Sequence, residues 1–140
     1  MKKNVPVSEI MTNNIIKLNL SDELTKAEEL FRKHKIRHIP VVSDYKIVGI
    51  LSYTDLLRVS YADAVDEDAD NVESIVFNMF TVRQVMAKEI VIISPTSTIR
   101  DTASILSKNE FHALPVCEGE VLVGIVTTTD VIKYFLEQYK

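Results

Sequence analysis

The sequence predicts an α+β fold of two tandem β-α-β-β-α units packed sheet to sheet about a pseudo-twofold axis. Three observations predict it. A shift of 75 residues aligns positions 7–57 with 82–132 without a gap, and 11 of those 51 positions are identical. Thirteen of the other 40 exchange one apolar residue for another. Each copy then repeats the same order of apolar periodicities, and a single copy could not cover both faces of its small sheet, so two copies packed together are the economical solution.

Each copy opens on a short helical turn holding Val7, Ile10 and Met11, or Val82, Val85 and Met86. A brief strand follows, Ile15-Ile16-Lys17-Leu18 or Ile90-Val91-Ile92-Ile93. Leu24, Ala27, Leu30 and Phe31, matched by Ile99, Ala103 and Leu106, recur at helical spacing. Ser21-Asp22 and Thr96-Ser97-Thr98 supply capping chemistry ahead of that helix. Two apolar strands come next, Ile39–Val42 and Ile47–Leu51, joined at Ser43-Asp44-Tyr45-Lys46. The second copy joins its pair at Glu118-Gly119-Glu120, where glycine is available for positive φ. A closing helix starts near Thr54 or Thr129. The boundaries expected are 5–60 for the first repeat, 61–81 for a connector and 82–137 for the second repeat.

The connector has two parts. Asp63, Asp66, Glu67, Asp68, Asp70 and Glu73 make an acidic stretch that reads as a solvated linker and lacks the glycine of a calcium loop. Val72, Ile75, Val76, Met79 and Phe80 then follow i, i+3, i+4, i+7, i+8, the pattern of an amphipathic helix that packs on its own module or on a partner.

Composition narrows the function classes. The net charge of −4, from 20 acidic and 16 basic residues, argues against a duplex nucleic-acid binder, which needs a cationic surface. A single cysteine, Cys117, forms no internal disulfide, and no apolar run is long enough to cross a bilayer. A cytoplasmic location, without membrane or nucleic-acid partners, is therefore expected. His34, His38 and His112 are scattered and show no zinc spacing, so no metal site is expected. There is no nucleophile elbow and no Walker glycine loop, so no catalytic residue is expected and the chain reads as a non-enzyme.

The residues Pro40-Val41-Val42 followed by Val48-Gly49-Ile50-Leu51-Ser52-x-x-Asp55, repeated as Pro115-Val116-Cys117 with Val123-Gly124-Ile125-Val126-Thr127-x-x-Asp130, resemble the CBS domain, named after cystathionine β-synthase. Paired repeats of this kind are called a Bateman module. The resemblance spans about Val5 to Leu136 and leaves no room for a catalytic domain, so a freestanding module is expected. It implies a regulatory cleft between the two repeats for AMP, ADP or ATP, or for an S-adenosyl compound, and a homodimer that regulates another protein.

Carried onto this sequence, the resemblance places Asp55 and Asp130, with Ser52 and Thr127, at the ribose. Arg37, His38 and His112 would meet phosphate, and Ile16, Ile39, Pro40, Val91, Leu114 and Pro115 would frame adenine. The residues alone allow a plainer reading: Ser52-x-x-Asp55 and Thr127-x-x-Asp130 are also capping boxes, the histidines also suit surface or packing roles, and the apolar set also suits the core. Gly49 and Gly124 leave room for a ligand ring or for a close approach of neighbouring chain. Ala113 stands where many nucleotide-binding relatives carry a basic residue, so the two clefts are expected to be unequal. A scaffold that docks a partner through Val72–Phe80 and binds nothing small is the alternative function.

Overall fold

A computed structural model describes residues 2–63, 77 and 79–140. In chain order its elements are a 3-10 turn at Val7–Glu9, β1 (Leu18–Asn19), α1 (Leu24–His34), β2 (His38–Ser43), β3 (Lys46–Ser52), α2 (Tyr53–Asp63), α3 (Val82–Val85), α4 (Ile99–Lys108), β4 (Ala113–Glu118), β5 (Val121–Thr127) and α5 (Thr128–Glu137). The architecture is α+β, as the apolar periodicities predict. Of the connector helix expected over Val72–Phe80, only Phe77, Met79 and Phe80 are described, and the acidic stretch lies outside the described residues beyond Asp63.

The chain forms two compact units, and neither coincides with a repeat. A central unit comprises Ile16–Asp44 and Val48–Ile90; a terminal unit comprises Met1–Ile15, Tyr45–Ile47 and Val91–Lys140. The opening segment of each repeat is thus packed with the body of the other: Val82–Met86 in the central unit, Val7–Met11 in the terminal one.

In the central unit β1 runs parallel to β2, pairing Leu18 with Val41 and Asn19 with Val42. Helix α1 buries Leu24, Ala27 and Phe31 along one face. Its last turn carries Arg32, Lys33 and His34, where cations oppose the negative end of the helix dipole, and it stops at Lys35 in the left-handed conformation (φ 52°). Leu24, Ala27 and Phe31 join Leu18, Ile39, Val41, Leu51, Leu56, Phe77, Val82 and Met86 in one core. Each fully buried Leu, Ile or Phe contributes about 1.5–3 kcal/mol relative to exposure.

In the terminal unit β4 and β5 form an antiparallel pair from Ala113↔Thr127 to Glu118↔Val121, with a register shift between Val116 and Cys117. Lys46 pairs with Val121, and its Nζ lies 3.1 Å from Glu120 Oε2. The core gathers Val7, Ile93, Leu106, Leu114, Val116 and Val126. Thr102 is fully buried there, and its hydroxyl donates to the Thr98 carbonyl at 2.9 Å.

Three local expectations need correction. The opening strands are shorter than their apolar runs: β1 begins only at Leu18, and Ile90–Ile93 reduces to one bridge, Ile93 to Val116. Val91 and Ile92 are exposed, so that stretch lacks the flanking ladder a strand requires. Ser21-Asp22 does not cap α1, whose N-cap is Glu23 without a side-chain bond; the Asp22 carboxylate instead accepts from the Asn19 amide at 2.7 Å. Thr98 does cap α4, accepting from the Asp101 amide at 3.0 Å. The second hairpin uses Gly119 at φ 62°, while the first turns through two non-glycine residues, Asp44 (φ 50°) and Tyr45 (φ 70°).

Candidate functional site

In the central unit β3 ends at Ser52 and α2 begins at Tyr53. The Asp55 amide donates to Ser52 Oγ at 3.0 Å, and the Ser52 amide donates to Asp55 Oδ2 at 3.4 Å, so the pair is a reciprocal capping box. The other carboxylate oxygen, Oδ1, lies 3.3 Å from Arg58 Nη1. Asp55 is about a quarter exposed (23%) and Arg58 mostly so (75%), so this ion pair contributes little stability. The Tyr53 amide donates to the Arg37 carbonyl at 2.8 Å, which fixes the residue ahead of β2 beside the capping box. Phe31 and Tyr53 pack edge to face at 5.5 Å and hold the start of α2 against α1.

The terminal unit repeats this arrangement. The Asp130 amide donates to Thr127 Oγ1 at 3.2 Å and the Thr127 amide to Asp130 Oδ2 at 2.9 Å. The Thr128 amide donates to the His112 carbonyl at 2.9 Å, the counterpart of the bond between Tyr53 and Arg37. Asp130 has no ion pair among the described residues. Lys133 occupies the position matching Arg58 but does not reach it.

The ribose and phosphate candidates are therefore gathered at one end of each unit: Ser52, Asp55, Arg37 and His38 in one, Thr127, Asp130 and His112 in the other. Arg37 and His112 are exposed and His38 is half-buried. The adenine candidates divide by exposure. Ile39 and Leu114 are fully buried in the two cores, and Pro40 and Pro115 are buried in β2 and β4, so a ligand would meet these four mainly at the backbone. Ile16 is half-buried and Val91 is 42% exposed, which leaves their side chains accessible.

A pocket of about 270 Å³ lies beside Asp55, lined by Arg58, Val59, Phe80, Gln84 and Val85. Arg58 and Gln84 were not singled out from the sequence. Arg58 sits three residues beyond Asp55 on an exposed helix, a spacing that flags a charge pair. Gln84 is the reciprocal member of the Thr81 capping box that opens α3, a signal of S/T-x-x-Q type that was legible.

The glycines are explained by packing. A Cβ on Gly49 would stand 2.5 Å from Met86 Sδ and 2.7 Å from the Ala87 carbonyl oxygen; one on Gly124 would stand 2.6 Å from Met11 Sδ. The space above each glycine is filled by the methionine of the opening segment in that unit. Burial pushes the Cys117 thiol above its ordinary value, which keeps it protonated and unreactive. Among the described residues no cluster of three or more His, Cys, Asp or Glu could hold a metal, and no helix is long and apolar enough to cross a membrane.

Two copies of one unit, each opening its last helix with an S/T-x-x-D box beside a basic residue, define a tandem-repeat α+β module. The CBS-domain family model matches residues 7–62 and 82–137, and the chain belongs to that family. MJ1426, an uncharacterized protein of Methanocaldococcus jannaschii, is 31% identical over 150 residues, covering 91% of this chain and 89% of that one. MJ1404 of the same organism, also uncharacterized, is 29% identical over 141 residues, which are 99% of this chain but 34% of its own length. The chain thus spans about a third of one relative and most of the other.

Two solved structures share the fold at 22% identity. One is CBSX2 in complex with AMP (TM-score 0.80, covering 97% of this chain and 99% of that one). The other is the CBS domain pair of MJ0100 in complex with 5′-methylthioadenosine and S-adenosyl-L-methionine (TM-score 0.79, the same coverage).

Proposed function

We propose that the chain is a regulatory, non-catalytic module that binds an adenosine ligand at the S/T-x-x-D ends of its repeats and transmits occupancy to a protein partner. One observation carries the reading. In both units the same backbone hydrogen bond sets a basic residue beside a carboxylate held by a capping box, Arg37 beside Asp55 and His112 beside Asp130. A carboxylate with an outward oxygen suits the vicinal ribose hydroxyls, and a neighbouring cation suits phosphate. Structures of the same fold hold AMP in one case and 5′-methylthioadenosine with S-adenosyl-L-methionine in another.

The two ends are chemically unequal. Arg37 and His38 present two basic side chains, which favours a phosphorylated ligand such as AMP. In the other unit His112 stands beside apolar Ala113, and the outer oxygen of Asp130 meets no arginine; this favours a ligand without phosphate, a methylthioadenosine or S-adenosyl compound. The apolar side chains left exposed on α5, Ile132 and Leu136, with Tyr139 just beyond its end, support a homodimer as the form in which the module acts.

Thermal melts with AMP, ADP, ATP, methylthioadenosine and S-adenosylmethionine test the reading. A ligand that binds only the native state adds about 2.7 kcal/mol of stability at a hundredfold excess over its Kd. Asp55→Asn and Asp130→Asn keep an acceptor for the backbone amide and remove half of the ribose acceptor. The AMP shift is expected to fall in Asp55→Asn and Arg37→Ala, and the methylthioadenosine shift in Asp130→Asn. The absence of any shift at millimolar ligand would sink the proposal. Sedimentation of free and loaded protein reads the dimer.

A further inference from the structure

We infer that the terminal unit carries a separate binding site for a small amphiphilic anion, an apolar body headed by a carboxylate or sulfonate, in the pocket between the N-terminal segment and helices α4 and α5. The pocket encloses about 400 Å³, within the range of small-molecule sites. Its wall is built by Val5, Ile99, Ala103, Val131, Tyr134 and Phe135. Its remaining lining is cationic throughout: Lys2, Lys3 and Arg100.

The backbone holds this geometry in place. The Ile99 amide donates to the Val5 carbonyl at 2.9 Å and the Val7 amide to the Ser97 carbonyl at 2.7 Å, so the N-terminal segment is pinned along the start of α4. That pinning brings Lys2 and Lys3 to the first turn of α4, where Arg100 stands. None of the three has an ion-pair partner among the described residues, and Glu137 of α5 is taken by Lys140 at 2.9 Å.

What sets these three cations apart is their convergence on the rim of one apolar cavity. Asp101 shares the first turn of α4 with Arg100 but pairs with none of the three, so all three can meet a bound anion while its apolar part leaves water. A neutral apolar ligand would leave the cations unused. A multiply charged hydrophilic anion would leave the wall wet. The class that satisfies both halves is an aryl or medium-chain acyl anion. The site uses neither Asp130 nor the basic residues ahead of β2 and β4, so it stands apart from the adenosine reading.

The test titrates the full chain with 1-anilinonaphthalene-8-sulfonate, reads its fluorescence, and displaces it with decanoate or with 1-decanol. Saturable binding, with decanoate displacing at a concentration at least tenfold below 1-decanol, is expected. Lys3→Glu with Arg100→Glu reverses two exposed charges and should weaken the probe at least tenfold. Ala103→Phe fills the cavity and should weaken it similarly with the cations intact. Asp130→Asn and Ile132→Ser, the latter on the exposed stripe of α5, should leave it unchanged, and AMP should not compete. Undiminished binding in the folded charge-reversed variant, loss in Ile132→Ser, equal displacement by the alcohol, or no saturable binding would each overturn the inference. If Ala103→Phe does not fold, the charge-reversed variant, altered only at the surface, decides.

Discussion

Gly49 and Gly124 occupy matching positions in the repeats but do not face equal constraints. Above Gly124 the three nearest atoms all belong to the Met11 side chain, a flexible thioether that can swing aside. Above Gly49 the Ala87 carbonyl oxygen stands beside Met86, and it is held there by the Ile50 amide at 3.1 Å. Gly49→Ala must therefore move backbone and is expected to cost about 1–3 kcal/mol, in the range of overpacking. Gly124→Ala is expected to cost less than half as much. Urea denaturation of the two variants reads the difference, and equal losses would contradict it.

The backbone frame of the candidate site was legible at this scale. The S/T-x-x-D spacing named both capping boxes, and the positions ahead of the Pro-Val strands named the residues that sit beside them. What was not legible was the fate of the carboxylates' outer oxygens. Whether residue 58 or residue 133 reaches back to its acid depends on side-chain rotamers on an exposed helix, and no spacing rule separates Arg58 from Lys133.

At the scale of elements, helices α1 and α4 followed their periodicity closely and the first strands did not. Helix α1 or α4 needs only its own backbone and one apolar face, both encoded locally. A strand also needs a neighbour. Ile90–Ile93 has the composition of a strand but only a single bridge, at Ile93. The two hairpins make the same point about local chemistry. Gly119 adopts positive φ without cost, whereas Tyr45 holds φ 70° with a Cβ. Tyr45→Gly is expected to raise stability by about 1 kcal/mol through release of left-handed strain; an unchanged or lower midpoint in denaturant would show that the tyrosine ring offsets the strain.

For the whole molecule the decisive feature is the exchange of opening segments. The 75-residue shift predicted two copies, yet it could not say which copy each opening segment packs on. Met11 and Met86 are identical, as are Gly49 and Gly124, so the contacts Met11–Gly124 and Met86–Gly49 are indistinguishable in sequence from Met11–Gly49 and Met86–Gly124. The choice is made by chain geometry rather than by residue type. A fragment of residues 1–66 lacks the segment that completes its core. Its unfolding midpoint is expected to rise with protein concentration, because only a second copy can supply the missing Met and Val through its own residues 7–11. A midpoint independent of concentration would mean that the segment folds back on its own body.

The same exchange bears on descent. A lone ancestral repeat with this packing could finish its core only by trading first segments with a twin, as swapped dimers do. Duplication in tandem would have turned that trade between molecules into one within a single chain. The outward residues at matching positions differ, Arg37 against His112, while the glycine notches and the methionines that fill them are the same in both halves.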